Sequence, residues 1–298
     1  MNVVAVLGPT ATGKSDLGVA LARELGGEVV NADAMQLYRG MDIGTAKLAV
    51  DERQGVPHHL LDVLEVTETA SVAAFQRDAR AVIERLRAAG RVAVLVGGSA
   101  LYLRAVLDEM TFPGTDAEVR GRLEAELAEA GPAALHRRLA ERDPAAALAV
   151  LPSNGRRIVR ALEVMEITGQ PFSAQLPELG EPRYGAVLLG LDLDTDTLDR
   201  RIGERVTRMF EAGLVDEVRG LLDRGLRDGR TASRAVGYQQ VVAALDGRYD
   251  LGEAAEDTAR ATRRLVRRQR AWFRRDPRIR WLDASGVPLR AALELVRG

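Results

Sequence analysis

The 298-residue sequence predicts an α/β fold: a phosphate-loop core with a parallel sheet, interrupted by an inserted helical domain. Three observations predict it. Short apolar, β-branched runs recur along the chain, and the first four are each followed by an amphipathic helical pattern, the rhythm of a sheet wrapped by helices. Residues 8–15 spell G-x-x-x-x-G-K-[ST] between the first such run and the first helical pattern. From about Gly114 to Arg183 no strand-like run occurs.

The first strand is Val3–Leu7, and the helix after it is expected over Asp16–Leu25. Further strands are expected at Glu28–Asn31, Val92–Val96, Ala186–Leu193 and Ile279–Leu282. Within the strand-free stretch, Asp116–Ala130 and Asn154–Thr168 read as helices. They are closed by Gly131-Pro132 and Gly169-Gln170-Pro171, because Gly suits a helix end and Pro cannot continue one. Helical patterns dominate again from Thr197 to Arg275. The expected organisation is a core of residues 1–113 and 184–298, with basic C-terminal helices, around a helical insertion of residues 114–183.

Composition excludes several function classes. With no cysteine there is no disulfide, thiolate metal site or cysteine nucleophile. No apolar run approaches the ~18 residues of a membrane span, so no membrane association is expected. Met1 leads directly into the first strand without a basic n-region, and a cytoplasmic protein is expected. The net charge of −1 predicts no polyanion partner by itself. Its distribution says more: of 42 basic residues only Lys14 and Lys47 are lysine, so a compact ammonium persists at position 14 in a chain that otherwise uses Arg.

Gly8, Pro9, Thr10, Ala11, Thr12, Gly13, Lys14 and Ser15 form the phosphate site. The glycines let the backbone turn its N–H groups around an anion, and the helix N-terminus adds the positive end of its dipole. Lys14 is expected to reach phosphate oxygens, and the Ser15 hydroxyl to ligate Mg²⁺. An ATPase usually carries a carboxylate at the end of a later core strand. Here Val92–Val96 ends in Gly97-Gly98-Ser99, which instead lets a substrate approach the backbone.

Asp33 follows the second strand, where ligands of open parallel sheets sit. It is suited to accept a proton from a nucleophile, and equally suited to cap a following helix. Small-molecule kinases share this layout, so spacing alone does not separate kinase from transferase. Between Arg260 and Arg275 lie eight Arg and no acidic residue, and Arg260, Arg264, Arg267, Arg268 and Arg275 can share one side of a helix. Without nearby carboxylates, such a face favours a nucleic-acid backbone. His58 and His59 lack metal-ligand spacing to another His and read as packing or hydrogen-bonding residues.

Taken together, these segments resemble the tRNA dimethylallyltransferase (tRNA isopentenyltransferase) family. The resemblance rests on Gly8–Ser15, DAMQLYRGMDIGTAK at 33–47, PHHLLD at 57–62 and Ser71–Arg80. It continues through LVGGSALY at 95–102, RRIVRALE at 156–163, SRAVGYQ at 233–239 and ATRRLVRRQRAWFR at 261–274. It implies a P-loop NTPase-like core that binds dimethylallyl diphosphate and transfers its prenyl group to the N6 amine of the adenosine 3′-adjacent to the anticodon. Asp33 then stands at the general-base position, and Thr10, Lys14, Ser15 with Mg²⁺, and Arg205 at positions that grip the diphosphate. Ser99, commonly Thr in the family, keeps a hydroxyl to hold tRNA or orient Asp33. Asp33, Ala34, Met35, Gln36, Ser99, Arg120, Arg156, Arg157, Arg160, Arg234, Gly237, Tyr238 and Gln239 fall on tRNA-contacting segments. Ala34 replaces the family's usual Ser and so lacks its hydroxyl. The implied partners are the tRNA anticodon stem-loop and dimethylallyl diphosphate, and the expected state is a monomer.

Overall fold

Residues 2–173 and 179–298 are described by a computed structural model. Six strands form one parallel sheet: β1 (Val3–Leu7), β2 (Glu28–Asn31), β3 (His58–His59), β4 (Ala93–Gly97), β5 (Val187–Asp192) and β6 (Ile279–Asp283), in the order β3-β2-β4-β1-β5-β6. The central strand β1 is buried at all five positions, which is why it reads as an unbroken apolar run. Its alternate residues face opposite sides. Val4 and Val6 pack with Leu17, Leu21 and Ile202 on one face; Val3, Ala5 and Leu7 pack with Ile83, Leu86 and Val106 on the other.

Helices of the larger unit cover both faces of the sheet, and a separate set forms the insertion. They are α1 (Lys14–Glu24), α2 (Val72–Ala88) and α3 (Ala100–Leu107) before the insertion. Within it are α4 (Ala117–Arg142), α5 (Pro144–Ala149) and α6 (Gly155–Thr168). After it come α7 (Thr195–Glu211), α8 (Leu214–Asp223), α9 (Tyr238–Leu245), α10 (Leu251–Phe273) and α11 (Leu289–Arg297). None of the described helices is long and apolar enough to cross a membrane. The two-residue strand β3 escaped the sequence reading because periodicity needs a longer run.

The chain divides into two compact units, Met1–Leu107 with Glu181–Gly298, and Asp108–Gly180. These junctions fall a few residues before those read from the sequence. In the smaller unit α4, α5 and α6 bury Leu123, Leu135, Leu139, Ile158 and Leu162 among themselves, and no strand occurs among its described residues. The helix expected to close at Gly131-Pro132 does break there: Gly131 takes the non-helical φ +76°, ψ 166°, and a second helical stretch follows within α4. Gly169, at φ +67°, closes α6 in the left-handed conformation expected of a C-terminal glycine.

In the larger unit the segment between β2 and α2 is long and mostly irregular, yet ordered by its own core. Tyr38, Met41 and Val66 pack against Leu214, Val218, Leu221 and Tyr238. This packing holds the segment that begins with Asp33 over the carboxyl ends of the strands.

Candidate active site

The phosphate loop leaves β1 at Gly8, whose φ is +140°. A side chain there would place its Cβ 2.2 Å from the carbonyl oxygen of Leu191, so both the dihedral and the close approach of β5 require glycine. Gly13, at φ +83°, turns the chain into α1. The Thr12 hydroxyl donates to the Pro9 carbonyl at 2.9 Å, and Lys14 Nζ donates to the same oxygen at 2.6 Å. The loop is thus held closed by its own side chains.

Thr10, Lys14, Ser15, Asp33, Gln36 and Arg205 line a single cavity of about 810 Å³. Strand order explains the meeting. The loop follows β1 at the centre of the sheet, Asp33 follows β2 two strands away, and α7, which follows the neighbouring β5, brings Arg205. Burial lowers the Lys14 ammonium to about 8; the Asp33 carboxylate pulls it back upward and Arg205 adds to the depression. Burial raises the Asp33 carboxyl above its ordinary value, against the Met35 N–H and the Lys14 charge. Burial also lowers Arg205, helped by Arg208 and opposed by Asp16. Among the described residues Arg205 makes no hydrogen bond or ion pair, so a desolvated guanidinium lines the cavity without an anion of its own.

No helix starts at Asp33; residues 34–37 form bends and turns, and Tyr38 makes a bridge to Leu64. Oδ1 instead accepts the Met35 N–H at 3.0 Å, while Asn31 Oδ1 accepts the Asp33 N–H at 2.9 Å. Helix capping is therefore overturned, and the carboxylate is fixed by a local turn at the cavity wall. Ser99 Oγ accepts the Ala34 N–H at 3.4 Å, which puts its hydroxyl against the backbone beside Asp33.

Other residues singled out from the sequence are scattered. Gln36 donates to the Thr45 carbonyl at 3.1 Å. Arg234 and Gln239 are exposed, and Gly237 is the buried N-cap of α9 at φ +93°. The Tyr238 side chain is fully buried, and its hydroxyl donates to Glu217 Oε1 at 2.6 Å. In the smaller unit Arg156 and Arg157 are exposed in the first turn of α6. Arg120 and Arg160 instead clasp the buried carboxylate of Glu163, with Arg160 Nη1 at 2.9 Å and Arg120 Nε at 3.2 Å.

The basic helix is also less bare than its own sequence suggests. Asp192 pairs with Arg270 at 2.8 Å and with Arg274 at 3.2 Å, and Asp199 lies 3.5 Å from Arg263. Arg260 and Arg264 lean on Asp257. Counter-charges arrive from β5, α7 and the first half of α10, which a linear scan of residues 260–275 does not see. Arg267, Arg268 and Arg275 stay exposed with no ion pair among the described residues, beside the 41% exposed Trp272.

Sequence reasoning missed two structural clamps. Gln269 Oε1 accepts the Thr10 N–H at 3.0 Å, and its Nε2 donates to the Gly98 carbonyl at 3.0 Å. The other clamp holds the 42–47 turn. Glu217 accepts the N–H groups of Asp42, Ile43 and Gly44, and Lys47 donates to the Tyr38 carbonyl, Asp42 and Asp62. The retained lysine at 47 was the only advance signal of the second. His59 bonds Glu28 at 2.5 Å and His58 the Val56 carbonyl at 2.9 Å. Among the described residues no group of three or more His, Asp or Glu could cage a metal.

Such an arrangement can bind a polyphosphate between Lys14 and Arg205 and take a proton at Asp33. Residues 36–276 match the model of the family described as IPP transferase. A tRNA dimethylallyltransferase of Salinispora tropica is 65% identical, with 99% of this chain and 93% of that protein covered. One from Saccharopolyspora erythraea is 68% identical, covering 95% and 92%. Among solved structures, the tRNA isopentenylpyrophosphate transferase of Bacillus halodurans superposes with a TM-score of 0.73 at 40% identity, covering 99% of this chain and 94% of that one. A eukaryotic dimethylallyltransferase acting on tRNA superposes with a TM-score of 0.81 at 26% identity, covering 96% and 75%.

Proposed function

As the chain belongs to the IPP transferase family, we propose that it transfers a dimethylallyl group from dimethylallyl diphosphate to tRNA. The acceptor is the N6 amine of the adenosine 3′-adjacent to the anticodon, and the products are N6-isopentenyladenosine and diphosphate. The observation that carries this reading is the shared cavity of Lys14, Arg205 and Asp33.

The bond that breaks joins the allylic carbon to a diphosphate oxygen, and the electron pair leaves with the oxygen. Lys14 and Arg205, both desolvated, stabilise that departing charge more strongly than solvated cations would. The bond that forms joins the same carbon to N6, and Asp33 takes the N6 proton. Burial raises the Asp33 carboxyl above its ordinary value, which makes its carboxylate form a stronger base for that proton. The amine is a weak nucleophile because its lone pair is delocalised into the ring, so positioning carries much of the rate.

Mg²⁺ fits the donors present. The Ser15 hydroxyl lines the cavity, and the lack of an all-protein cage among the described residues suits an ion that keeps waters and borrows phosphate oxygens. Ser15 would hold it, and its charge would add to that of Lys14 and Arg205 at the diphosphate. Arg234, Gln239, Arg267, Arg268 and Arg275 are exposed on the larger unit and Arg156 and Arg157 on the smaller, each available to an RNA backbone. An adenine in a loop can be flipped into the cavity for a few kcal/mol.

A small-molecule kinase would share the loop and Asp33, but no carboxylate ends β4 and the arginine-bearing surface would have no role. Incubating the protein with labelled dimethylallyl diphosphate and either unmodified tRNA or AMP tests the assignment. Label is expected in tRNA; label in AMP alone would overturn the substrate.

A further inference from the structure

Gln269 lies between the exposed RNA-facing arginines of α10 and the transfer site. Its amide oxygen takes the Thr10 N–H and its amide nitrogen reaches the Gly98 carbonyl, both at 3.0 Å. A Cβ at residue 98 would come within 2.6 Å of Gln269 Nε2, so a side chain there would displace the amide from this position. One residue beyond Gly98, the Ser99 hydroxyl meets the Ala34 N–H beside Asp33. A single amide therefore spans the loop that would carry the leaving group and the strand end that backs the base. Its neighbour Arg270 bonds Asp192, the Leu193 carbonyl and Thr195 at the start of α7, the helix that carries Arg205. The Thr10 N–H is consumed in this contact, which leaves the Thr10 side chain, not its amide, to face an anion.

We propose that Gln269 is a positioning residue for prenyl transfer, fixing the phosphate loop against the Gly98-Ser99 turn so that the diphosphate and Asp33 are held at the distance the reaction needs. Both of its amide atoms are taken up by the protein backbone, so it acts through the loop and the turn, and it joins α10 directly to them. The inference rests on the transferase reading above.

Two substitutions separate the halves of the contact. Gln269→Met keeps the length and loses both bonds; Gln269→Glu keeps an acceptor for Thr10 and loses the donor to Gly98. Single-turnover prenyl transfer at saturating tRNA and dimethylallyl diphosphate is expected to fall roughly 10- to 100-fold in Gln269→Met, since displacement by about 1 Å costs that much. Gln269→Glu should fall between that variant and the parent. The tRNA Kd and the Tm are expected to stay near parental values, which a merely structural role would not allow. Gly98→Ala, which pushes the amide away from its other side, should show the same loss, and combining it with Gln269→Met should be far less than additive.

Parental rates in the Gln269 variants, additive losses in the double variant, or a rate loss matched by an equal loss of tRNA affinity or Tm would each overturn the proposal. If Gln269→Met does not fold, Gln269→Glu with Gly98→Ala decides by the same criteria. The parent protein run alongside keeps the two readings apart: no transfer by the parent sinks the transferase assignment, whereas transfer unaffected by the substitutions sinks only the role of Gln269.

Discussion

Lys14 Nζ donates to the carbonyl of Pro9 at 2.6 Å, so the one cation of the phosphate loop rests on its own backbone. A carbonyl offers only a partial charge. Burial therefore outweighs the attraction of Asp33 and leaves the ammonium near 8.

This sets a pH profile. A bound diphosphate would raise the Lys14 pKa, so binding takes up a proton. Affinity is full below the free-enzyme value and is lost as pH rises through about 8. Asp33 acts ionised, and its raised pKa places the acid limb above the ordinary aspartate value. The kcat/KM for dimethylallyl diphosphate is expected to be bell-shaped, with its alkaline limb near 8. Asp33→Asn should lower kcat by about 10²–10⁴ with tRNA affinity retained; unchanged turnover would remove the base assignment.

Arg205 lines the cavity desolvated and, among the described residues, makes no hydrogen bond or ion pair. Arg205→Leu is expected to weaken diphosphate binding about 10- to 100-fold, the loss of charged hydrogen bonds worth about 1.5–3 kcal/mol. Its Tm should be equal to or above the parent's, because no folded-state bond is lost. Calorimetric titration with inorganic diphosphate, alongside thermal melts, checks both; a lowered Tm with parental affinity would contradict the assignment.

The arginines of the smaller unit divide in two. Arg156→Ala and Arg157→Ala are expected to weaken tRNA binding with Tm unchanged, each lowering the salt slope of log Kd by about 1. Arg120→Ala strips one partner from the buried Glu163 and should cost about 3 kcal/mol of stability. Denaturant melts beside salt-titrated tRNA binding distinguish them, and an Arg120→Ala protein as stable as the parent would refute the packing role.

Gly44 lies under the Tyr238 ring, where a Cβ would meet Cε2 at 2.4 Å. Gly44→Ala overpacks a fixed aromatic and should destabilise by about 1–3 kcal/mol. It should also disturb the Glu217 contacts of the 42–44 turn, which contributes to the cavity wall. Equilibrium unfolding checks the first effect, and the KM for dimethylallyl diphosphate the second.

The sequence by itself determined the parallel sheet, the phosphate loop and the helical nature of the insertion. These rest on local rules: burial on both faces makes a strand apolar throughout, and a left-handed turn before a helix demands glycine. Lys14, Ser15 and Asp33 were legible because each sits at a fixed offset from a strand end. Only the tertiary structure decided what the side chains meet. It buried Tyr238, which the resemblance placed toward RNA, and gave Arg120 and Arg160 an internal partner in Glu163. It also supplied the basic helix with carboxylates from β5 and α7, and bound Gln269 to a loop 259 positions away. Spacing along a chain reports the periodicity of one element, whereas hydrogen bonds and ion pairs depend on which elements the sheet order brings side by side.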